Sequence, residues 1–318
     1  MKQFTFYFMN NIMALFMVTI FILIGVAFLT LFERKILGYT HYRKGPNKIS
    51  MWGLLQPFSD VMKLLTKEFF YPKKSNFNFF FIAPFIMFML IFSMWMIYPF
   101  HTNLFKWDLS SLFILCLLSM SVYGLMMSGW SSNSHFSMLG SIRSIAQSIS
   151  YEITLSISLL LNLFLMNSLN IMNTPILQKY LWMIMFMWPS SMIMMLSMLA
   201  ELNRTPFDLS EGESELVSGF NIEYSSHGFA MIFMSEYTSI MFLMFLFNLM
   251  YFCNNLLIMN FYFILILFIY FIVWSRLTLP RIRYDLLMYF CWIFMLPLIL
   301  ILFCLYLLMK LSMELMIF

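Results

Sequence analysis

Long apolar stretches separated by short charged segments dominate the pattern of this chain. Seven stretches contain no Asp, Glu, Lys or Arg: residues 3–32, 75–105, 109–142, 153–178, 180–200, 237–275 and 286–309. A helix needs roughly 20 apolar residues to cross a bilayer, so each stretch can hold one span and 237–275 can hold two. The ten-residue alternation of barrel strands is absent. The pattern therefore predicts an all-α polytopic membrane protein.

We predict about eight transmembrane helices in a single membrane domain covering residues 1–318. Their approximate bounds are 8–31, 79–99, 110–130, 146–167, 180–200, 229–250, 257–275 and 287–308. With this count, the four loops on one side, including the large loops 33–76 and 201–227, carry 14 of the 18 basic residues. The positive-inside rule places that side in the cytoplasm, or in the matrix of a mitochondrion.

The first large loop is predicted to contain an amphipathic helix over about residues 52–70. Its polar residues recur at spacings of three and four and so form one stripe: Gln56, Ser59, Asp60, Lys63, Thr66 and Lys67. Apolar residues fill the other face, and Pro57 suits the first turn. Such a helix lies at the membrane interface. Loop 33–76 has nine basic and three acidic residues, a net charge of +6.

Composition excludes several classes of protein. The chain is 62% hydrophobic and 10% charged, whereas a soluble domain carries about 25% charge. We interpret its four cysteines as small buried hydrophobic residues, because none has the spacing of an iron–sulfur or zinc ligand set. The four histidines are scattered over loop positions, which argues against a bis-histidine haem. No nucleotide-binding motif is present.

An acidic loop follows the fifth predicted span. Between residues 201 and 223, six carboxylates accompany the single cation Arg204: Glu201, Asp208, Glu211, Glu213, Glu215 and Glu223. Like charges this close raise one another's proton affinity, which suits proton uptake beside a reaction centre. The alternative is a solvated loop that pairs with the basic loop 33–76, and charge counting leaves both interpretations open.

Two further carboxylates lie inside apolar spans. Glu152 is nine residues past Arg143 and Glu236 is eight residues past Gly228. Both therefore lie roughly 12–14 Å from the same membrane face. Intramembrane carboxylates are costly and usually functional, so we expect this pair to face one cavity and to relay protons. The alternative is a protonated or hydrogen-bonded glutamate that joins helices.

Arginines mark the ends of several spans: Arg34, Arg43, Arg276, Arg281 and Arg283. They can extend to lipid headgroups, as long basic side chains commonly do at membrane surfaces. They can also line the mouth of a cavity for an amphipathic ligand. A quinone is such a ligand, because its headgroup is polar and its tail is apolar.

Five sequence blocks carry a specific resemblance to a known family. They are FLTLFERKILGYTHYRKGPNK (28–48), GLLQPFSDVMKLLTKE (53–68), GWSSNSHFSMLGSIRSIAQSISYEI (129–153), AELNRTPFDLSEGESELVSGFNIEYSS (200–226) and LPRIRYDLLM (279–288). In this order, and across most of the chain, they resemble the quinone-site membrane subunits of respiratory complex I.

The resemblance implies a core subunit of proton-translocating NADH:ubiquinone reductase, multi-pass in the mitochondrial inner membrane, with its large charged loops on the matrix side. Ubiquinone would be the substrate, and flavin, iron–sulfur clusters and haem would be bound elsewhere, so the chain alone would hold no complete active site. The implied partners are the peripheral-arm quinone-reducing and iron–sulfur subunits, neighbouring membrane-arm subunits and lipids. Nucleic acid is not among them.

The same resemblance assigns roles to residues by motif. The quinone tunnel would be lined by Glu33, Arg34, Arg43, Asp60, Arg204, Asp208, Glu211, Arg276 and Arg281. The proton path into the membrane arm would contain Glu152, Glu201, Glu213, Glu215 and Glu236. Quinone reduction would change ionisation along this path and drive pumping in partner subunits.

Two other functions fit the composition. An ion-coupled transporter would also use intramembrane carboxylates, but it predicts repeated halves, which the sequence does not show. A passive membrane anchor for a redox enzyme leaves the buried glutamates unexplained.

Overall fold

The computed structural model describes residues 2–98, 107–209, 212, 219–253, 256 and 258–317, and over these ranges it contains helices and no strands. The α-helices are α1 (Lys2–Thr40), α2 (Gln56–Thr66), α3 (Phe77–Met94), α4 (Ser110–Ser131), α5 (His135–Met166), α6 (Trp188–Glu201), α7 (Ser226–Tyr251), α8 (Met259–Thr278), α9 (Tyr284–Tyr289) and α10 (Leu296–Ile317). A π-helical turn, Phe290–Met295, joins α9 to α10. A four-residue helix, Thr174–Leu177, precedes α6.

Seven of the described helices are long and apolar enough to cross a membrane: Met9–Thr40, Phe77–Ile97, Ser110–Ser131, His135–Met166, Ser226–Tyr251, Met259–Thr278 and Tyr284–Ser312. The prediction of an all-α polytopic membrane protein is therefore confirmed. The remaining predicted span, 180–200, overlaps α6, whose 14 residues extend about 21 Å. That is shorter than a hydrocarbon core of about 30 Å, so the eighth crossing stays a prediction.

Several helices extend beyond the predicted spans. Helix α1 ends at Thr40 rather than near residue 31, so Glu33 and Arg34 lie on a helix and not in a loop. Helix α5 begins at His135 rather than near residue 146. A hydropathy pattern marks the part of a helix that lies in hydrocarbon, whereas the backbone hydrogen bonds continue as long as the sequence tolerates them.

The amphipathic helix is shorter than predicted. Helix α2 covers Gln56–Thr66, with Pro57 in its first turn, and a separate 3-10 turn, Met51–Gly53, precedes it. Trp52 and Gly53 have φ values of 60° and +75°. A right-handed helix does not contain such values, so α2 begins four residues after the approximate start predicted near residue 52.

Helices α5 and α7 form the centre of the bundle. Helix α5 packs against α4, α6 and α10, and α7 packs against α1, α2, α3 and α8. Small residues allow close approach at the charged end: a Cβ atom on Gly129 of α4 would lie 2.3 Å from Ser141 Cβ of α5. The central packing brings the polar ends of α1, α5, α6 and α7 together.

The cysteine interpretation holds for only half of the residues. Cys253 and Cys291 are buried, but Cys116 and Cys304 are exposed. The outer face of a membrane helix meets lipid, where a small apolar side chain needs no burial in protein.

Candidate functional site

Glu33 is the centre of a buried ionic cluster that joins α1 to three other parts of the chain. It lies near the end of α1, where only 5% of the residue is exposed. Arg276, in the last turn of α8, donates to Glu33 Oε1. Arg204, in the segment after α6, places Nη1 3.6 Å from the same oxygen. Tyr237 of α7 donates its hydroxyl to Glu33 Oε2 at 2.5 Å.

Arg204 holds its charge although its side chain is only 14% exposed. Its guanidinium carbon lies 4.7 Å from the centre of the Tyr237 ring, within the range of a cation–π contact. Burial disfavours the guanidinium ion, but Tyr237, Glu33 and Glu236 together outweigh that cost and raise the pKa of Arg204. The cluster therefore contains one buried permanent cation.

A second ion pair connects α1 to the amphipathic helix α2. Arg34 Nη1 lies 2.6 Å from Asp60 Oδ2, and Gln56 donates to Asp60 Oδ1 at 3.0 Å. The Arg34 and Asp60 side chains are 50% and 32% exposed. Exposed ion pairs contribute little to stability, so this pair does more to position the two side chains than to hold the fold.

A third ion pair connects the segment after α6 to the segment after α8. Arg281 donates to Asp208 Oδ2 at 3.0 Å. Beside it, the backbone N–H of Ile282 donates to the Pro206 carbonyl, also at 3.0 Å. The buried amide of Gln147 on α5 donates to the carbonyls of Ala200 and Phe207 at 2.8 and 2.7 Å. These bonds hold residues 202–208 in place without regular secondary structure.

A cleft of about 590 Å³ lies between α1, α2 and α7. Most of its lining is apolar, including Val26, Val61 and Phe233. Charged side chains also line it: Arg34, Asp60 and Lys63. This combination suits a ligand with an apolar tail and a polar head.

A smaller cavity of about 70 Å³ lies deeper in the bundle. Glu201, Arg204 and Glu236 line it, together with Asn203 and Ser239. The Oε2 atom of Glu201 is buried and has no hydrogen-bond partner among the described residues. A buried carboxyl oxygen requires a proton or water, and the cavity has room for a few water molecules. The site is therefore suited to holding protons.

Glu152 lies on α5 outside the set of residues that line this cavity, but it is close enough to Glu201 for their charges to interact. The expected pair of Glu152 and Glu236 thus becomes a group of three carboxylates in the structure. Glu201, at the end of α6, links the other two: it lines the cavity with Glu236, and its charge interacts with that of Glu152.

The structure brings most of the predicted site residues together in small groups. Arg43 is the exception among the described ones: it lies in the exposed segment after α1, where its backbone N–H donates to the Gly38 carbonyl at 2.7 Å. Glu211, Glu213 and Glu215 lie outside the described residues. Within the described ranges, no group of three His, Cys, Asp or Glu residues is arranged to hold a metal ion.

Sequence reasoning missed Tyr237 and Gln56. Tyr237 follows Glu236 in an apolar span and was counted with the hydrophobic residues. The available signal was its hydroxyl group, which needs a partner when a tyrosine is buried. Gln56 lies four residues before Asp60, and this spacing places two side chains next to each other on a helix.

Comparison with known proteins shows similarity over nearly the whole chain. Residues 13–307 match a protein family described as NADH dehydrogenase. The chain is 49% identical over 281 residues to NADH-ubiquinone oxidoreductase chain 1 of Aedes aegypti, covering 88% of this chain and 90% of the relative. It is 50% identical over 277 residues to the protein of the same name from Locusta migratoria, covering 87% and 88%. For Trichosurus vulpecula the identity is 44% over 292 residues, covering 90% and 92%.

Proposed function

The chain belongs to the NADH dehydrogenase family, and from this we infer that it is a core membrane subunit of respiratory complex I that forms much of the ubiquinone-binding tunnel. It lies in the mitochondrial inner membrane with its charged loops on the matrix side. Its partners are the peripheral-arm subunits that reduce quinone and carry iron–sulfur clusters, and the neighbouring subunits of the membrane arm. It completes an oxidoreductase whose electron-transfer centres lie in those partners.

The cleft between α1, α2 and α7 is the observation that carries this proposal. An isoprenoid tail fits its apolar walls, and the quinone head meets Arg34 and Asp60. Because α2 is amphipathic and α1 crosses the membrane, a molecule dissolved in the bilayer reaches the cleft without passing through water. Quinone therefore enters the protein beside α2.

Beyond the cleft, the ionic cluster forms the polar part of the tunnel. Glu33 and Arg34 are consecutive residues of α1, so the ionic cluster around Glu33 adjoins the Arg34–Asp60 ion pair of the cleft. Asp208 and Arg281 extend the polar lining, and Arg43 and Glu211 belong to the same tunnel by motif. The headgroup passes alternating charges, and the arginine side chains donate hydrogen bonds to its two carbonyl oxygens and orient it for reduction.

Arg204 connects the tunnel to the proton path. It contacts Glu33 on one side and lines the cavity with Glu201 and Glu236 on the other. When quinone accepts two electrons and two protons, charge near Glu33 changes. In a low-dielectric setting this change alters the protonation of Glu201, Glu236 and Glu152. By motif, Glu213 and Glu215 belong to the same path, which drives pumping in the partner subunits.

The variant Glu236→Gln in the assembled complex tests the proton path. We expect the variant to assemble and to bind quinone, but to lose coupled proton pumping in reconstituted vesicles. Asp285→Asn is the matched control, because it removes a carboxylate whose side chain is 72% exposed and pairs with Arg283 at the surface. Full pumping by a Glu152→Gln, Glu236→Gln double variant would refute the relay role and leave the tunnel proposal intact.

A further inference from the structure

A second groove lies on a different face of α1 from the quinone cleft. It measures about 500 Å³, and α1 contributes Phe28, Leu31 and Lys35 to it. Met51, Trp52 and Leu54, from the turn before α2, form its other wall. The α1 residues that line the quinone cleft, such as Ala27, Thr30 and Arg34, each lie one position earlier, which is a rotation of about 100° around the helix. The groove is therefore a separate site.

The groove combines an apolar floor with a cation at one end. Lys35 Nζ lies 5.6 Å from the centre of the Trp52 ring. Phe28 lies seven residues earlier on α1, about 10 Å deeper along the helix. Trp52 is 77% exposed and has a φ of 60°, a strained conformation for a bulky residue. The Trp52 indole lines the groove, and tryptophan is enriched at membrane interfaces.

The chain segment between the two walls of the groove carries positive charge. Residues 34–59 contain no Asp or Glu, and their cations are Arg34, Lys35, Arg43, Lys44 and Lys48. Asp60 pairs with Arg34, which leaves four cations without an acidic residue in that stretch. The basic segment folds back on α1, because a Cβ atom on Gly45 would lie 3.3 Å from Lys35 Cα. Positive charge thus surrounds the polar end of the groove.

We propose that this groove binds an anionic glycerophospholipid. One acyl chain lies against Phe28 and Leu31, and the phosphate group binds at Lys35. A quinone carries no charge to match the basic segment. A phospholipid phosphate is anionic, and each lysine near the membrane surface attracts it. The floor of the groove belongs to a membrane-spanning helix, so its natural occupant comes from the bilayer.

The lipid would also support the wall of the quinone cleft. Phe28 contacts Phe58 of α2 edge to face, with ring centres 6.1 Å apart. A chain packed on Phe28 restricts that ring and, through it, the position of α2. This effect depends on the lipid site and not on the chemistry inside the tunnel.

Photolabelling of the assembled complex tests the proposal directly. The complex is reconstituted into phosphatidylcholine vesicles that contain a trace of phosphatidylglycerol or phosphatidylcholine, each with a photoactivatable acyl chain. We expect phosphatidylglycerol to label residues 28–35 or 51–54 more than phosphatidylcholine does. Lys35→Gln should lower phosphatidylglycerol labelling about fivefold, the ratio for one lysine near a membrane surface. Lys35→Arg should retain it.

Lys73→Gln is the matched control, because it removes one exposed lysine from the same basic loop away from the groove. Labelling is counted per assembled complex, which corrects for poor assembly of Lys35→Gln. If that variant does not assemble at all, the comparison of the two lipid probes in the wild-type complex still decides the question. Equal labelling by both lipids, labelling insensitive to Lys35→Gln, or displacement of the probe by excess ubiquinone would overturn the proposal. None of these results depends on quinone reduction, so the site can fail without affecting the proposed function.

Discussion

Replacing Tyr237 with phenylalanine isolates one hydrogen bond at the centre of the ionic cluster around Glu33. The substitution removes only the hydroxyl group that donates to Glu33 Oε2 at 2.5 Å. The ring remains, so the contact of the Arg204 guanidinium with the aromatic face is kept. Arg276 and Arg204 still pair with Glu33, which therefore stays charged but loses the bond that fixes its second oxygen.

The size of the effect follows from the kind of bond. A hydrogen bond to a charged group contributes about 1.5–3 kcal/mol, and this one is buried. If quinone needs Glu33 in its present orientation, the loss corresponds to roughly a 10- to 100-fold fall in kcat/KM. The fall should be similar for long-tailed and short-tailed quinones, because Tyr237 acts on the headgroup and not on the tail.

NADH:quinone reductase activity of isolated membranes measures this effect. Reduction of a water-soluble acceptor that bypasses quinone serves as the control for assembly and electron input, and it should be unchanged. Tyr251→Phe is the matched variant, because it removes a buried hydroxyl group at the far end of α7, where that group lies 3.4 Å from Ser190 Oγ and outside the cleft. A Tyr237→Phe variant with wild-type kcat/KM would show that the hydroxyl orients nothing that the substrate uses.

Three further predictions concern separate features. Ala230→Trp fills part of the 590 Å³ cleft, so the KM for a long-tailed quinone should rise more than the KM for a short-tailed analogue. Equal rises in the two KM values would contradict entry through the cleft. A double-mutant cycle of Asp208→Asn with Arg281→Met, measured as kcat/KM, should show a coupling free energy of about 1.5–3 kcal/mol between the two residues. Additive effects of the two substitutions would contradict this ion pair. Gly129→Ala pushes against Ser141 and should cost about 1–3 kcal/mol, seen as a lower inactivation temperature of the complex, whereas unchanged inactivation would contradict the close α4–α5 packing.

The hydrophobic pattern predicts where this chain meets lipid, but it does not predict where helices end. The segment 3–32 is uncharged, yet α1 continues to Thr40 because nothing in ERKILGYT breaks a helix. Segment 180–200 is equally apolar, yet α6 begins only at Trp188, with Pro189 in its first turn. Proline is favourable in the first turn of a helix and unfavourable in its interior. The helix therefore begins near Pro189, although the apolar segment begins at residue 180.

The candidate site was predictable as a set of residues and not as a set of contacts. Charge in an apolar chain is conspicuous, so Glu33, Arg204 and Arg276 could each be identified from sequence. Their meeting depends on tertiary packing between residues up to 243 positions apart. Periodicity within one helix carries no information about such a distance, and a tyrosine such as Tyr237 is hidden among the aromatic residues of its span.

The ionic cluster also has a consequence for biosynthesis. Glu33 lies on α1, while Arg276 is synthesised 243 residues later. At a synthesis rate of about 5–20 residues per second, the carboxylate waits on the order of ten seconds or more for this cation. During that interval α1 keeps Glu33 near the aqueous surface or beside Arg204, and Glu33 gains its full set of partners only when the seventh membrane-competent segment is about to be made. Insertion of the amino-terminal helix is therefore completed by the carboxyl-terminal third of the chain.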